Sequence, residues 1–394
     1  ELDEMKAHIL NRAEQAVKRA DTRQSASLAM GLVKSIGSNR VFTDPGESLR
    51  ITKMALKALT LEKCHQALQS FWKNRGLTIT LTSKAAPEDG TKVLAALYEK
   101  SQAAKVTPPE KKDDVSFAYT DFGKAGTVTS RREIKDLGIT QLILSNNTRI
   151  NLKRTNFQKN SISMHARLGN GKLTQPTDKP SLDMFSSILL NAGGLGKHSS
   201  DDLQRITAGR NVGGNLSVDE DAFTMDGRTT EEDLELQLQL LCASITDPGY
   251  REEALRQFRK MLPMISSQLK FTLSGAMAEM QEWARGGDGR FAKPDPEVLA
   301  KYTADDVKAW ISPEFDDSYL EISLVGDFDI EKTIPLILGT VGALPTRSST
   351  RPALGKERQL KTPQLPATRK FTYTSKIPQA ASLVGWRIPA VKED

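Results

Sequence analysis

Apolar and polar positions alternate most clearly across residues 142–155. Leu142, Ile143 and Leu144 form a short apolar run, and Ile150 and Leu152 alternate with Asn151 and Lys153. That is the period of a half-buried strand. Asn146-Asn147 between them is a turn signal, because asparagine tolerates positive φ and hydrogen-bonds its own backbone. A strand, a tight turn and a second strand therefore open a domain here. Further strands are predicted over 162–168, 211–218 and 222–225, and at the alternating Leu320, Ile322 and Leu324. The turn Asp219-Glu220-Asp221 separates two of them; a calcium loop would need spaced oxygens and a central glycine.

Three- and four-residue spacing predicts helices around these strands. Met5, Ile9, Leu10, Ala13 and Val17 mark the first, and Asp21-Thr22 opens a second. Thr43-Asp44-Pro45 starts a third, with Pro45 where a missing N–H costs nothing. Thr60 caps a fourth, which Gly76 ends. Leu77, Ile79 and Leu81 then alternate as a strand, and 90–104 return to helix. Residues 105–136, with Pro108-Pro109 and the charges of 110–114, are expected to be a linker. Later helices are predicted over 181–191, stopped by Gly193-Gly194, over 201–208 after a Ser199 or Ser200 cap, and over 231–242 after Thr230. Another spans 250–285, where Pro263 should break or kink the run. Two more start at Asp295-Pro296 and Thr303, and a last one covers 330–338. Residues 346–366 are a second linker, and 371–374 and 381–386 are strand-like.

A repeat is visible at a spacing of 243 residues. Thr60 falls on Thr303, Glu62 on Asp305, Cys64 on Val307, Ile79 on Ile322 and Leu81 on Leu324. Capping threonine, apolar face and strand parity stay in step, which predicts two related α/β domains, the first entered part-way through.

The 394 residues suit two or three domains, and 38% hydrophobic with 26% charged residues suits a soluble globular protein. No apolar run approaches the roughly 18 residues of a membrane span. The first residues enter a helical pattern directly and the last follow a strand-like run, so both ends are expected to be cuts in a longer protein. The net charge is +6, but 55 basic and 49 acidic residues are interspersed. A nucleic-acid binder concentrates its charge; Arg131-Arg132 and Lys153-Arg154 are too short for that, and no nucleic-acid partner is expected. Cys64 and Cys242 lie in helical patterns and are expected to be buried free thiols.

No catalytic constellation emerges from the residues themselves. The histidines are His8, His65, His165 and His198; no two are four residues apart, and there is no Cys-x-x-Cys. His165 alternates within a strand and is expected to be structural. His198 follows Gly193-Gly194-Leu195-Gly196-Lys197, which is no phosphate loop, because Lys197 is followed by His and the glycine spacing is wrong. A glycine helix stop followed by a serine cap explains the stretch. Ser199, His198 and Asp201 cannot form a relay, because adjacent side chains point apart.

Leu144-Ser145-Asn146-Asn147-Thr148-Arg149-Ile150 resembles the Leu-x-Asn-Gly-x-Arg-Val hairpin of the pitrilysin/insulinase family of zinc peptidases. Thr303 to Val307, then Tyr319 to Asp329 with Val325-Gly326-Asp327-Phe328-Asp329, resemble that family's helix and strand exit. Leu344-Pro345 is similar to its usual domain end, Gln379 to Trp386 to its opening strand, and 1–83 to the closing half of a preceding domain. The resemblance implies an α+β fold of repeated domains, each a mainly antiparallel sheet packed by helices. The implied division is 1–104 as the closing part of one domain, 105–136 as linker, 137–345 as a complete domain, 346–366 as linker, and 367–394 as the opening of a further domain.

Catalytic members carry His-x-x-Glu-His and a distant Glu ligand. The matching helix here, Asp183 to Leu190, has no His or Glu, and neither does 258–266, where the distant Glu should fall. The resemblance therefore implies the non-catalytic C-terminal half of a zinc metallopeptidase, with no cofactor in this chain and zinc in a missing N-terminal half. The implied partners are a peptide or small-protein substrate and the catalytic half of the same polypeptide. The alternative is a catalytically dead, core-protein-like structural subunit. Bacterial relatives suggest a periplasmic or envelope location by analogy. Peptide would add to the strand Val212 to Val218, with Gly213, Gly214, Asn215, Leu216 and Ser217 as binding residues, if that strand is an open sheet edge facing the concave side. The structural alternative is that its glycines mark a bulge.

Overall fold

The computed structural model describes residues 1–73, 76–82, 85, 87–107, 115–364 and 367–386. Pro108 to Asp114 of the first expected linker, Leu365-Pro366 of the second, and 387–394 lie outside the described residues. Two compact units are present. One comprises 1–17 and 43–116, the other 18–42 and 117–394.

Five helices come first: α1 (Leu2–Lys18), α2 (Ser25–Gly37), α3 (Pro45–Ala58), α4 (Leu61–Trp72) and α5 (Gly90–Ala103). The Asp44 carboxylate caps α3 by accepting from the Gly46 and Glu47 amides, and Thr60 caps α4 through the Lys63 amide. Capping satisfies amides that have no partner inside the helix. Asp21-Thr22 instead forms a short 3-10 turn, and α2 starts after Gln24. The α4 helix ends at Lys73, ahead of Gly76. Leu77, Ile79 and Leu81 do not form the expected strand. No neighbouring strand pairs with them among the described residues, and all three side chains are exposed.

Among the described residues the second unit is built on seven strands: β1 (Val128–Ile134), β2 (Ile139–Leu144), β3 (Arg149–Arg154), β4 (Ile162–Leu168), β5 (Gly214–Val218), β6 (Phe223–Thr229) and β7 (Leu320–Gly326). Their order is β1-β2-β3-β7-β4-β6-β5, antiparallel throughout except for the parallel β3–β7 pair. The fold is α+β with a mainly antiparallel sheet. The hairpin forms as its sequence predicts, with Asn147 at φ +67° in the turn. The β1 strand falls within the stretch expected as linker.

Between and after the strands lie α6 (Leu182–Gly193), α7 (Ser200–Ile206), α8 (Leu234–Thr246), α9 (Glu252–Phe271), α10 (Leu273–Ala284), α11 (Pro296–Leu299), α12 (Ala304–Asp317) and α13 (Ile330–Gly339). Ser199 and Thr303 each close a capping box, at α7 and α12. Pro263 does not interrupt α9, and the break comes at Thr272. Pro263 is exposed while Phe258 and Leu262 bury the opposite stripe, so packing holds the helix through the lost hydrogen bond. Thr230 does not cap α8, which begins after Asp233. Residues 371–374 and 381–386, expected as strands, make no ladder among the described residues.

One face of the sheet is apolar and covered. Leu142, Leu144, Ile150, Leu152, Met164 and Leu324 are buried with Phe185 and Leu189 of α6, Leu238 of α8, Phe258 of α9 and Ile311 of α12. The other face carries the alternate, polar positions. This division is the usual consequence of period two in an antiparallel sheet packed on one side.

Candidate functional site

Among the described residues the β5 strand ends the sheet and pairs only with β6. Its glycines have local structural reasons. Gly213 sits at φ +141°, which L side chains avoid, and donates its N–H to Gln237 Oε1 at 2.8 Å. A Cβ on Gly214 would collide with the Asp226 carbonyl oxygen on β6. Leu216 is buried, and Asn215 and Ser217 are exposed opposite Asp226 and Thr224.

The outward edge at Leu216 is bracketed by one side chain. Its N–H donates to Asn191 Oδ1 at 2.9 Å, and Asn191 Nδ2 donates back to the Leu216 carbonyl at 2.8 Å and to the Ser187 carbonyl at 2.7 Å. The carboxamide reproduces the donor and acceptor that a neighbouring strand would offer. Beside it lies a cleft of about 240 Å³, walled by Leu190, Leu203 and Leu240 of α6, α7 and α8. Gly213, Gly214, Asn215 and Leu216 line this cleft, and Ser217 does not. Asn191 was not legible as a site residue, because one Asn near a helix end carries no signal of what it faces.

The two helices that the resemblance aligns with zinc ligands do pack together, but through aromatic rings. Phe185 of α6 meets Phe258 of α9 edge to face at 5.1 Å between centroids, and Tyr302 lies 5.6 Å from Phe185. The one carboxylate of this α6 stretch, Asp183, pairs with Lys172 at 2.7 Å. A catalytic zinc needs three protein ligands held together. This apolar donor set does not fit it, and among the described residues no cluster of three His, Cys, Asp or Glu side chains could hold a metal.

His198 is structural. It is 3% exposed, and Nε2 accepts the Ala118 N–H at 2.9 Å. Phe117 stacks on it at 5.7 Å and Tyr119 meets its edge at 5.8 Å. Tyr119 donates to Asp247 at 2.6 Å and accepts from the Lys197 amide at 2.7 Å, and burial with the Asp247 bond pushes its pKa up to about 12. Burial holds the His198 pKa below the usual histidine range. The unfolded chain therefore takes up the His198 proton first as pH falls. His198 costs no stability above its unfolded pKa of about 6.5, and stability is lost as pH drops from there toward the lower folded value. Urea denaturation of the wild type and of His198→Gln at pH 7.5 and 5.5 should show the larger acid loss in the wild type. Equal losses in both proteins would remove His198 from the acid response.

Cys242 is buried, and burial pushes its thiol pKa up; Cys64 is only half-buried, against the expectation for it. His165 Nδ1 lies 2.7 Å from Asp226 Oδ1 on the neighbouring strand. Among the described residues no helix is long and apolar enough to cross a membrane.

No family model matches the chain. Its sequence is 28% identical over 225 residues to the chloroplastic stromal processing peptidase of Arabidopsis thaliana, covering 55% of this chain and 18% of that protein. It is 21% identical over 354 residues to the probable zinc protease PqqL of Escherichia coli, covering 87% and 37%. The chain thus spans well under half the length of these relatives. In solved structures its fold matches the ferredoxin protease FusC in complex with Arabidopsis ferredoxin (TM-score 0.53, 15% identity, 89% of this chain and 39% of that one). It also matches periplasmic PqqL of Escherichia coli (TM-score 0.51, 20% identity, 89% and 39%). Sequence relatives and fold together show an α+β chain similar to peptidases. The likeness agrees with the resemblance to pitrilysin/insulinase-type zinc peptidases seen in the sequence.

Proposed function

We propose that this chain is the non-catalytic portion of a zinc-dependent metalloendopeptidase of the pitrilysin/insulinase type. It walls the substrate chamber and helps hold peptides for proteolysis. The zinc belongs to a catalytic half of the same polypeptide. In this reading 137–345 is a complete non-catalytic domain, flanked by the closing part of one domain at 1–104 and the opening of another at 367–394.

The observation that carries the reading is the β5 edge beside its cleft. A peptide added as a strand would use main-chain hydrogen bonds along Gly213 to Ser217 and place one side chain against Leu190 and Leu203. By alternation, the main-chain groups of Gly214 and Val218 face the same way as those of Leu216. A docking peptide then displaces the Asn191 carboxamide from Leu216.

Amide hydrogen exchange tests this. Binding of a short unstructured peptide to the 394-residue chain should slow exchange at Gly214, Leu216 and Val218. Peptide binding with unchanged exchange across 213–218 would sink the proposal for this edge. The Asn191 bracket also favours a second reading, a structural subunit whose edge is guarded against pairing. That reading predicts no peptide binding at all.

A further inference from the structure

The open face of the sheet is laid out by strand register. One row across it reads Arg149 on β3, Glu321 on β7 and Arg167 on β4; the next reads Asn151, Ser323 and His165. The same two rows continue over β6 to Ser217 and Asn215 on β5. A depression of about 520 Å³ lies over the first strands of this belt. Its lining includes Arg149, Arg167, Arg351, Tyr319 and Glu321.

Charge in this depression is not balanced. The Asp221 carboxylate is shared by Arg167 at 2.9 Å, Arg351 at 3.4 Å and Arg358 at 3.9 Å. Arg149 has no ion-pair partner among the described residues, and its guanidinium lies 5.8 Å from the centre of the Tyr319 ring. Glu321 is satisfied by neutral donors, Asn151 Nδ2 at 2.6 Å and the Tyr319 hydroxyl at 3.1 Å. Three guanidiniums, those of Arg149, Arg167 and Arg351, thus line the depression with one carboxylate, Glu321, while Asp221 pairs with two of them from outside its lining. Arginines converging from separate elements suit a planar anion, which they can grip through two hydrogen bonds at once.

We propose that this depression binds a side-chain carboxylate of a bound peptide, giving the protein a preference for acidic peptides. The inference rests on the peptide-holding reading above and adds a site and a chemistry to it. Arg149, half-buried and without a carboxylate partner, is its specificity-determining residue. Glu321 beside it limits the affinity.

The test uses the 394-residue chain and two short fluorescent peptides with amidated C termini, identical except that one carries Glu where the other carries Gln. Fluorescence anisotropy should show the Glu peptide binding about tenfold more tightly, a gain expected of one charge-assisted contact. The advantage should shrink as salt is raised. Arg149→Gln should remove most of it, and Glu321→Gln should enlarge it, a direction that unfolding cannot produce. Equal affinity for the two peptides, or an acid preference unchanged in both variants, overturns the inference and leaves the peptide-holding reading standing. Failure of both peptides to bind overturns both.

Discussion

Replacing Phe185 by Ala is expected to cost roughly 3–5 kcal/mol, the range for emptying a buried aromatic site. Phe185 is 1% exposed and lies between Phe258 of α9 and Tyr302, so truncation removes two aromatic contacts and leaves a cavity between helices that close on the sheet. Sequence distance makes the site costly to lose. It joins α6 to a helix that starts some sixty residues later, in a core shared with the buried Leu182, Leu189, Leu255 and Leu262 of the same two helices. Chemical denaturation should show the loss as a lower midpoint with little change in slope. A loss below about 1 kcal/mol would mean that the neighbours close the gap and that the aromatic contacts are incidental. The same substitution should leave any acid-peptide preference intact in the fraction that remains folded, since the open face of the sheet lies away from these rings.

This helix pair is also the most informative contrast with the catalytic peptidases that the sequence resembles. The resemblance aligns α6 and α9 with the helices that carry zinc ligands, and here the facing positions are apolar. Catalytic domains keep polar ligands at such a junction, whereas this chain fills it with rings that add to the core. The substitution is visible in the sequence as missing histidines and glutamates. What replaces them becomes clear only once the helices are seen to meet.

Elements whose side-chain period agrees with burial were legible from the sequence. The hairpin over 142–155, the strands at 162–168 and 320–324, and the threonine caps at Thr60 and Thr303 all form where local pattern places them. The failures among the strands share one cause, which is that a strand needs a partner. Leu77, Ile79 and Leu81 have the alternation but no ladder to join, whereas Val128 to Ile134 lack a clear pattern and become a strand because β2 lies beside them. Around the cleft, Gly213 to Leu216 stood out through their glycines and their place in the chain. Asn191 depends on how α6 packs beside β5, and the arginines of the open face on register between distant strands, neither of which a single-sequence pattern encodes.

The Asn146→Ala variant should lose about 2–4 kcal/mol, far more than its place in a turn suggests. Asn146 is buried, and its Nδ2 donates to the carbonyls of Val341 at 2.8 Å and Leu344 at 3.1 Å, while Oδ1 accepts the Thr148 amide at 3.2 Å. Its own carbonyl accepts the Arg347 N–H at 2.8 Å, and Arg347 reaches on to the Phe315 carbonyl with its guanidinium. The turn of the hairpin therefore clamps the segment from Val341 to Arg347, some two hundred residues later. Alanine would strand the buried Leu344 carbonyl and the Thr148 amide, each costing about 1–3 kcal/mol when it finds no water, and would leave the Val341 carbonyl with only the Leu344 N–H. Asn147 gives the control. It holds φ +67°, and its side chain donates to the Arg347 carbonyl at 2.8 Å, so Asn147→Gly trades one partly exposed side-chain bond for easier backbone geometry and should change stability by less than about 1 kcal/mol. Thermal melts of the two variants side by side decide the matter. Similar losses would show that turn geometry, rather than the buried carboxamide, fastens the hairpin to the 341–347 segment.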